Sequence, residues 1–389
     1  MKILQVVPYF YPAWFYGGPA KLVYDTSCYM AEQGHEVTVY TSDAYDQFQR
    51  MPKKLRLPVS TKLNIHYFPN LSNSLAAFHN IFFTPALIFT AMQEIPRFDA
   101  IHLHDFYTLQ NIIITLFAKL YHKPYIMSVH GCLEEQRMDR HSFFKKMYLF
   151  WVGSSILRGA QKVIATSNDE EKSYLRHGIK QNKIIRLAHG IQISEFQSNK
   201  SIEQARKEFK LPPDTVVITF LGRIHEIKGL DLLIKAAQQL RKQKVTFVIA
   251  GSDGGYLKEL HRLIKNAHLA DKIILRSATF GIEKADLYKA SDIFVYPSYS
   301  EGFSLGILEA GAAGLPLVIT TGCHFPEVQT QNAGQIVEPT AQALTAALKP
   351  LIASKRLRTR KGKQSQKLVQ EQFSMSAVGQ KLLRIYKTL

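Results

Sequence analysis

The chain has 389 residues, more than one hydrophobic core usually holds, so two domains are the starting expectation. Hydrophobic residues make up 46% and charged residues 21%, an ordinary globular balance that excludes disordered and fibrous classes. Lysine and arginine number 49 against 31 acids, and a net charge of +18 favours anionic partners: nucleotides, phospholipid head groups or nucleic acid.

The N-terminal "MKILQVVPYFYP" reads as a first strand, since it lacks the cleavage pattern and apolar length of an export signal. A helix around Ala20–Gln33 follows, then the strand-like "HEVTVYTS", and later "DAIHLHD" and "KPYIMSVHG". The apolar stretches "NIFFTPALIFTAM" and "NIIITLFAKLY" are too short or interrupted to span a bilayer, which needs about 20 apolar residues. Membrane association is therefore expected to be peripheral. Cys28, Cys132 and Cys323 are scattered and odd in number, which suggests reduced thiols in a cytoplasmic setting.

The second half repeats the plan. "TVVITFLGR" leads to "GLDLLIKAAQQLRKQ", then "VTFVIAGS", "KIILRS", "DIFVYPS" and "PLVITT" appear in turn. Strands alternating with helices imply an α/β fold of two doubly wound, Rossmann-like domains. Between them, 194–212 lacks a strand pattern and ends in a proline pair, so the linker is placed there. After Thr340 the chain reads as helical to its end, including a run from Lys355 to Lys367 with seven basic groups and no acid. A solvated helix face or an anionic-surface contact would explain that run.

In open parallel sheets ligands bind at the carboxyl ends of strands. "LGRIHEIKG" follows such a strand and offers Arg223, a planar fork for phosphate, and Lys228, a compact charge, between Gly222 and Gly229. "EGFSLGILEA" follows "DIFVYPS", with Glu301 and Gly302 read as loop and a helix expected from near Ser304 to near Gly314. In one continuous helix Glu301 and Glu309 would be separated by roughly 12 Å of rise and some 80° of rotation. A loop followed by a helix lets them converge instead. Free amides near Phe303, Ser304 and Leu305 would attract phosphate, leaving the glutamates to accept hydrogen bonds from sugar hydroxyls.

These residues resemble the retaining glycosyltransferases of the GT-B fold, in the family-four group: a Glu-x7-Glu motif from Glu301 to Glu309, preceded by Gly222, Arg223, Lys228 and Gly229, with an early Gly17-Gly18 loop and a His130-Gly pair after a strand. The resemblance implies an N-terminal acceptor-side domain over 1–195, a donor-binding domain over 200–372 across a central cleft, and a helix at 373–389 packing back on the first domain. It implies transfer of a hexose-type sugar from a UDP- or GDP-linked donor to a glycan or lipid-linked acceptor, in bacterial polysaccharide or glycolipid biosynthesis. Arg223 and Lys228 would hold the donor diphosphate, Glu309 the ribose and Glu301 the transferred sugar. His130 would make a polar contact beside that sugar, and the backbone of Gly17 and Gly18 would approach the phosphates. No cofactor or metal is implied, and no Asp-x-Asp motif occurs. Two positions depart from the family pattern: His189, where asparagine is common, and Ser277, where glycine is usual.

Rival readings are a nucleotide-sugar epimerase of the same architecture and a non-catalytic nucleotide-binding protein; no nucleic-acid motif is present. His102, His104 and Asp105 resemble a metal cluster, but residues at a strand end are as readily explained by cleft lining. The segment 137–162 mixes Arg137, Arg140, Lys145 and Lys146 with Phe143, Phe144, Met147 and Trp151. Core packing explains those aromatics, and so does contact with an anionic membrane at the inner face of the cytoplasmic membrane.

Overall fold

The computed structural model describes residues 1–13, 18–46, 48–52, 62–79, 82–133 and 147–389, and these fall into two compact units. Unit 1 comprises Met1–Gly190 and Met375–Leu389; unit 2 comprises Ile191–Ser374.

Unit 1 is built on seven parallel strands, β1 (Lys2–Val6), β2 (Glu36–Ser42), β3 (Leu63–Phe68), β4 (Ala100–His104), β5 (Tyr125–Ser128), β6 (Lys162–Ala165) and β7 (Ile184–Arg186). Their order is β3-β2-β1-β4-β5-β6-β7. Both faces of the sheet are covered, which is why the central strands read as apolar runs rather than alternating ones. Leu4, Val6, Ile101, Leu103, Met127 and Val163 point into one core. Ile3, Ala100, Ile126 and Ile164 point into the other, together with Met375, Val378, Leu382 and Leu383 of the last helix, Met375–Lys387.

Unit 2 has six parallel strands, β8 (Val216–Leu221), β9 (Val245–Ala250), β10 (Ile273–Arg276), β11 (Ile293–Tyr296), β12 (Leu317–Thr320) and β13 (Gly334–Val337), in the order β10-β9-β8-β11-β12-β13. The segment read as a linker is folded into this unit. Ser201 and Gln204 form a reciprocal cap on the helix Ile202–Glu208. Arg206 donates to the carbonyls of Pro213, Thr215 and Ala290 and pairs with Asp292 at 2.5 Å. The basic run lies on the helix Lys355–Leu368 and is partly structural: Arg358 donates to the Leu351 carbonyl at 2.8 Å, and Lys361 to that of Gly334 at 3.0 Å.

The last helix lies close on unit 1 because Gly379 leaves room for a ring: a Cβ there would sit 2.3 Å from Cδ1 of Tyr29. Gly379→Ala is expected to destabilise unit 1 by about 1–3 kcal/mol through overpacking. Urea unfolding followed by circular dichroism checks this, and an unchanged midpoint would show that the Tyr29 ring moves aside freely.

Candidate active site

In unit 2 the strand order reverses between β8 and β11, whose following connections depart to opposite sides, so the carboxyl ends of these strands form the switch point where such sheets take ligands. Three loops meet there. Gly229 has φ +63°, and a Cβ on it would sit 2.0 Å from the Pro297 carbonyl oxygen. The left-handed backbone and the contact both require glycine. The loop after β8 is then bound to the loop after β11 by the Tyr299 N–H, which donates to the Ile227 carbonyl at 2.8 Å. Gly322, after β12, approaches the Tyr299 carbonyl in the same way, and its own carbonyl accepts from the Glu301 N–H at 2.8 Å.

This arrangement brings Lys228 onto Glu301. The ammonium donates to Glu301 Oε1, which also accepts from Ser298 Oγ at 2.9 Å, and it lies 5.5 Å from the centre of the Tyr296 ring. Both side chains are about one-tenth exposed, 12% and 10%. An ammonium has three donors and a carboxylate about four acceptor sites, so both retain capacity for a ligand. Glu301 Oε2 accepts no hydrogen bond among the described residues. Burial, with the Glu301 charge second, holds the Tyr296 hydroxyl well above its ordinary pKa. Arg223 is exposed, with its stem against Gly254, and has no hydrogen-bond or ion-pair partner among the described residues.

Glu301 and Gly302 lie in the loop, Ser304 is the extended N-cap, and the helix runs Leu305–Ala312, so the two glutamates stand on different elements. Gly306 lets the helix start approach β8: a Cβ there would meet the Leu221 carbonyl oxygen at 3.2 Å. The Phe303 ring packs against Phe325, with centroids 5.9 Å apart. Glu309 is buried away from Lys228 in its own set of contacts. Lys284 Nζ lies 3.0 and 3.1 Å from its oxygens, and Tyr288 donates to Oε2 at 2.9 Å. Sequence reasoning missed Lys284 and Tyr288, although their i, i+4 spacing on the helix Gly281–Ala290 puts both on one face. Ser298 was missed too, and no local signal marks it.

In unit 1, His130 and Gly131 follow β5 in left-handed conformations, φ +50° and +77°. Buried Glu170 holds this turn, accepting from the Gly131 N–H at 2.7 Å and from the Thr166 N–H at 2.6 Å. Gly18 begins the helix Gly18–Glu32 and is exposed; Gly17 lies outside the described residues, as do Arg137, Arg140, Phe143, Phe144, Lys145 and Lys146. His102 and His104 do not line a cleft. They are 2% and 4% exposed and hydrogen-bonded to neighbouring side chains. Among the described residues no group of three or more His, Cys, Asp or Glu could hold a metal ion.

Residues 201–368 match the family described as glycosyl transferases group 1, and residues 16–195 match glycosyltransferase family 4. The chain belongs to these family-four, group 1 glycosyltransferases and has their GT-B fold of two Rossmann-like domains. A D-inositol 3-phosphate glycosyltransferase 2 from Catenulispora acidiphila is 30% identical over 250 residues, 61% of this chain and 58% of that protein. A D-inositol 3-phosphate glycosyltransferase from Stackebrandtia nassauensis is 26% identical over 329 residues, 78% and 71% of the two chains. The chain thus spans little more than half the length of the first of these relatives. Among solved structures, Anabaena Alr3699/HepE in complex with UDP is similar at a TM-score of 0.78 and 19% identity, over all of both chains. A glycosyltransferase from Rickettsia africae is similar at 0.76 and 21%, over 100% of this chain and 98% of that one. At such identities these two speak for the fold alone.

Burial pushes the His189 pKa down to about 4, and burial first holds His102 and His104 well below the ordinary range. A histidine lowered in the folded state binds its proton more readily when unfolded. Its contribution to stability is therefore full above about pH 6.5 and is lost as pH falls towards the folded value. His189→Asn, the residue common in the family, should make the fall of unfolding free energy between pH 6.5 and 5 shallower by up to about 1.4 kcal/mol per pH unit. Urea midpoints measured across that window test this; an identical slope would show that His189 contributes no proton.

Proposed function

We propose that the protein transfers a hexose-type sugar from a nucleotide-diphosphate donor to an acceptor, with retention at the anomeric carbon. The observation that carries this reading is the meeting of Lys228, Glu301 and a helix start at the switch point of unit 2. A cation and a helix N-terminus suit a diphosphate, and a carboxylate with spare acceptor capacity suits sugar hydroxyls.

In this reading Lys228 turns its remaining N–H groups to the diphosphate, joined by Arg223, whose exposed fork is open to bidentate contact. The amides of Phe303, Ser304 and Leu305 add dipole charge, with Gly222 and Gly302 keeping the backbone near. Together these offset charge on the departing nucleotide in place of a metal. Glu309, oriented by Lys284 and Tyr288, accepts from the ribose hydroxyls. Glu301 holds the peripheral hydroxyls of the transferred sugar and positions it rather than attacking it. His130 makes a polar contact to that sugar, and the backbone of Gly18 approaches the phosphates. The bond to the leaving phosphate breaks towards an oxocarbenium-like state. The acceptor hydroxyl then attacks from the leaving group's face and gives its proton to the leaving phosphate.

A UDP-linked hexose is the first donor to try, because Alr3699/HepE was solved with UDP-glucose; GDP-linked sugars come second. For acceptors, the relatives' names put a phosphorylated polyol beside glycans and lipid-linked sugars. The lipid-linked option has support in unit 1. Phe89, Leu116, Leu120, Phe150 and Trp151 are exposed by 62–78% on neighbouring elements in a basic chain. No helix among the described residues is long and apolar enough to cross a membrane. Product analysis over a panel of nucleotide sugars, with the anomer read by NMR, tests the function. An epimerised donor, or tight nucleotide binding with every donor left intact, would displace the reading.

Lys228→Ala should lower kcat by about 100-fold, the scale of one lost transition-state charge contact. Glu309→Gln should chiefly raise the donor KM. Wild-type donor kinetics in either variant would remove that residue's role.

The protein should co-sediment with vesicles containing anionic phospholipid, and Phe150→Ser with Trp151→Ser should weaken that binding. Equal pelleting of wild type and the double variant would remove this face from any membrane contact.

A further inference from the structure

Strand alternation places Gln5 of β1, His102 and His104 of β4 and Ser128 of β5 on the sheet face that includes Ile3, Ala100 and Ile126 and is covered by the last helix. The register sets Gln5 beside His102, and His104 beside Ser128. All four are buried polar groups in a largely apolar layer, and they join in one chain of hydrogen bonds. Nε2 of His130 lies 3.0 Å from Nδ1 of His104, and Nε2 of His104 lies 2.7 Å from Oε1 of Gln5. Nε2 of Gln5 is 3.0 Å from the Tyr386 hydroxyl, which is 2.7 Å from Nδ1 of His102. Nε2 of His102 is 2.8 Å from Oγ of Ser128.

Each link needs one donor and one acceptor, so the orientation of a single amide sets the others. Gln5 turns its NH2 towards Tyr386 and towards Met30 Sδ at 3.8 Å, a sulfur that can only accept. Its carbonyl oxygen faces His104, so Nε2 of His104 donates. Burial and the neighbouring His102 and His189 keep His104 neutral, so its Nδ1 accepts and Nε2 of His130 donates. On the other side, the Tyr386 oxygen accepts from Gln5 and the hydroxyl gives its proton to Nδ1 of His102, whose Nε2 donates to Ser128.

We propose that Tyr386, on the last helix, and Gln5, on the first strand, are positioning residues that hold His130 as the Nε2–H tautomer, leaving Nδ1 as its acceptor nitrogen. Tyr386 touches no reacting atom and acts through Gln5 and His104. Its consequence for catalysis rests on the assignment of His130 to the transferred sugar, where a fixed proton on Nε2 commits Nδ1 to accepting from a sugar hydroxyl. The tautomer itself does not depend on that assignment.

Ring-nitrogen NMR of the full-length, 15N-histidine-labelled protein reads the tautomer directly, with the His130 signals assigned by their absence in His130→Asn. The wild type should carry the proton on Nε2, and Tyr386→Phe, which removes one oxygen, should give a mixture of tautomers. Leu383→Ala loosens the same helix without touching the hydrogen bonds and should leave His130 unchanged. In Tyr386→Phe, kcat should fall about tenfold, the lower end for loss of a residue that orients another, with donor KM held within about twofold. A proton on Nδ1 in the wild type, an unaltered His130 in Tyr386→Phe, or the same change in Leu383→Ala would overturn the inference. An altered tautomer with unchanged kcat would sustain it and instead remove His130 from the sugar contact.

Discussion

The site in unit 2 depends on one close backbone approach, that of Gly229 to the Pro297 carbonyl. No side chain fits there, and the left-handed turn at Gly229 carries Lys228 to the end of its loop just where the chain leaving β11 passes. Two neighbouring parallel strands set their following loops about 5 Å apart at the root, and such loops ordinarily diverge. Here the Tyr299–Ile227 hydrogen bond and the Gly322 contact hold three loops together, so a lysine and a glutamate 73 residues apart meet with little solvent between them. Holding such a pair costs desolvation of both ions, which the Ser298 hydroxyl and the Tyr296 ring partly offset. That cost is reasonable where each charge keeps capacity for a ligand.

Unit 1 carries a different cost. A sheet face packed by a helix would be most stable if wholly apolar, yet this one holds an amide, two histidines and a serine hydroxyl. Burying them is tolerable because each finds a partner in the same chain of hydrogen bonds; leaving one unpaired would cost about 1–3 kcal/mol. One end of that chain is His130 and its middle is Tyr386, so the polar seam joins the turn after β5 to the last helix. The helix is thereby a structural cover and a member of the seam.

Much of the fold was legible because α/β proteins write it locally. Apolar runs such as "VTFVIAG" mark buried strands, and the loops after "ITFL" and "IFVY" hold the Gly-Arg…Lys-Gly and Glu-x7-Glu spacings. The separation of Glu301 on a loop from Glu309 on a helix followed from Gly302 and the helix start alone. Strands β3, β6, β7 and β13 were not read from the sequence: β7 and β13 are only partly buried and carry Arg186, Gly334 and Gln335 within three or four residues, so they lack the wholly apolar run that marks β11 and β12. Nor was the fate of 194–212, whose polar pattern reads as a linker although Arg206 and Asp292 fold it into unit 2.

The sequence by itself determined two Rossmann-like domains and the loops at the ends of β8 and β11, because each follows from residue type and short spacing, and its motifs carry the resemblance to the family. Only the tertiary structure decided which polar atoms meet. Lys284 and Tyr288 orient Glu309, Lys228 lies on Glu301, and Tyr386 reaches Gln5 across 381 residues. The physical reason is that such pairs are set by strand order, register and the face a helix covers. These are properties of the whole sheet that no local window of sequence contains.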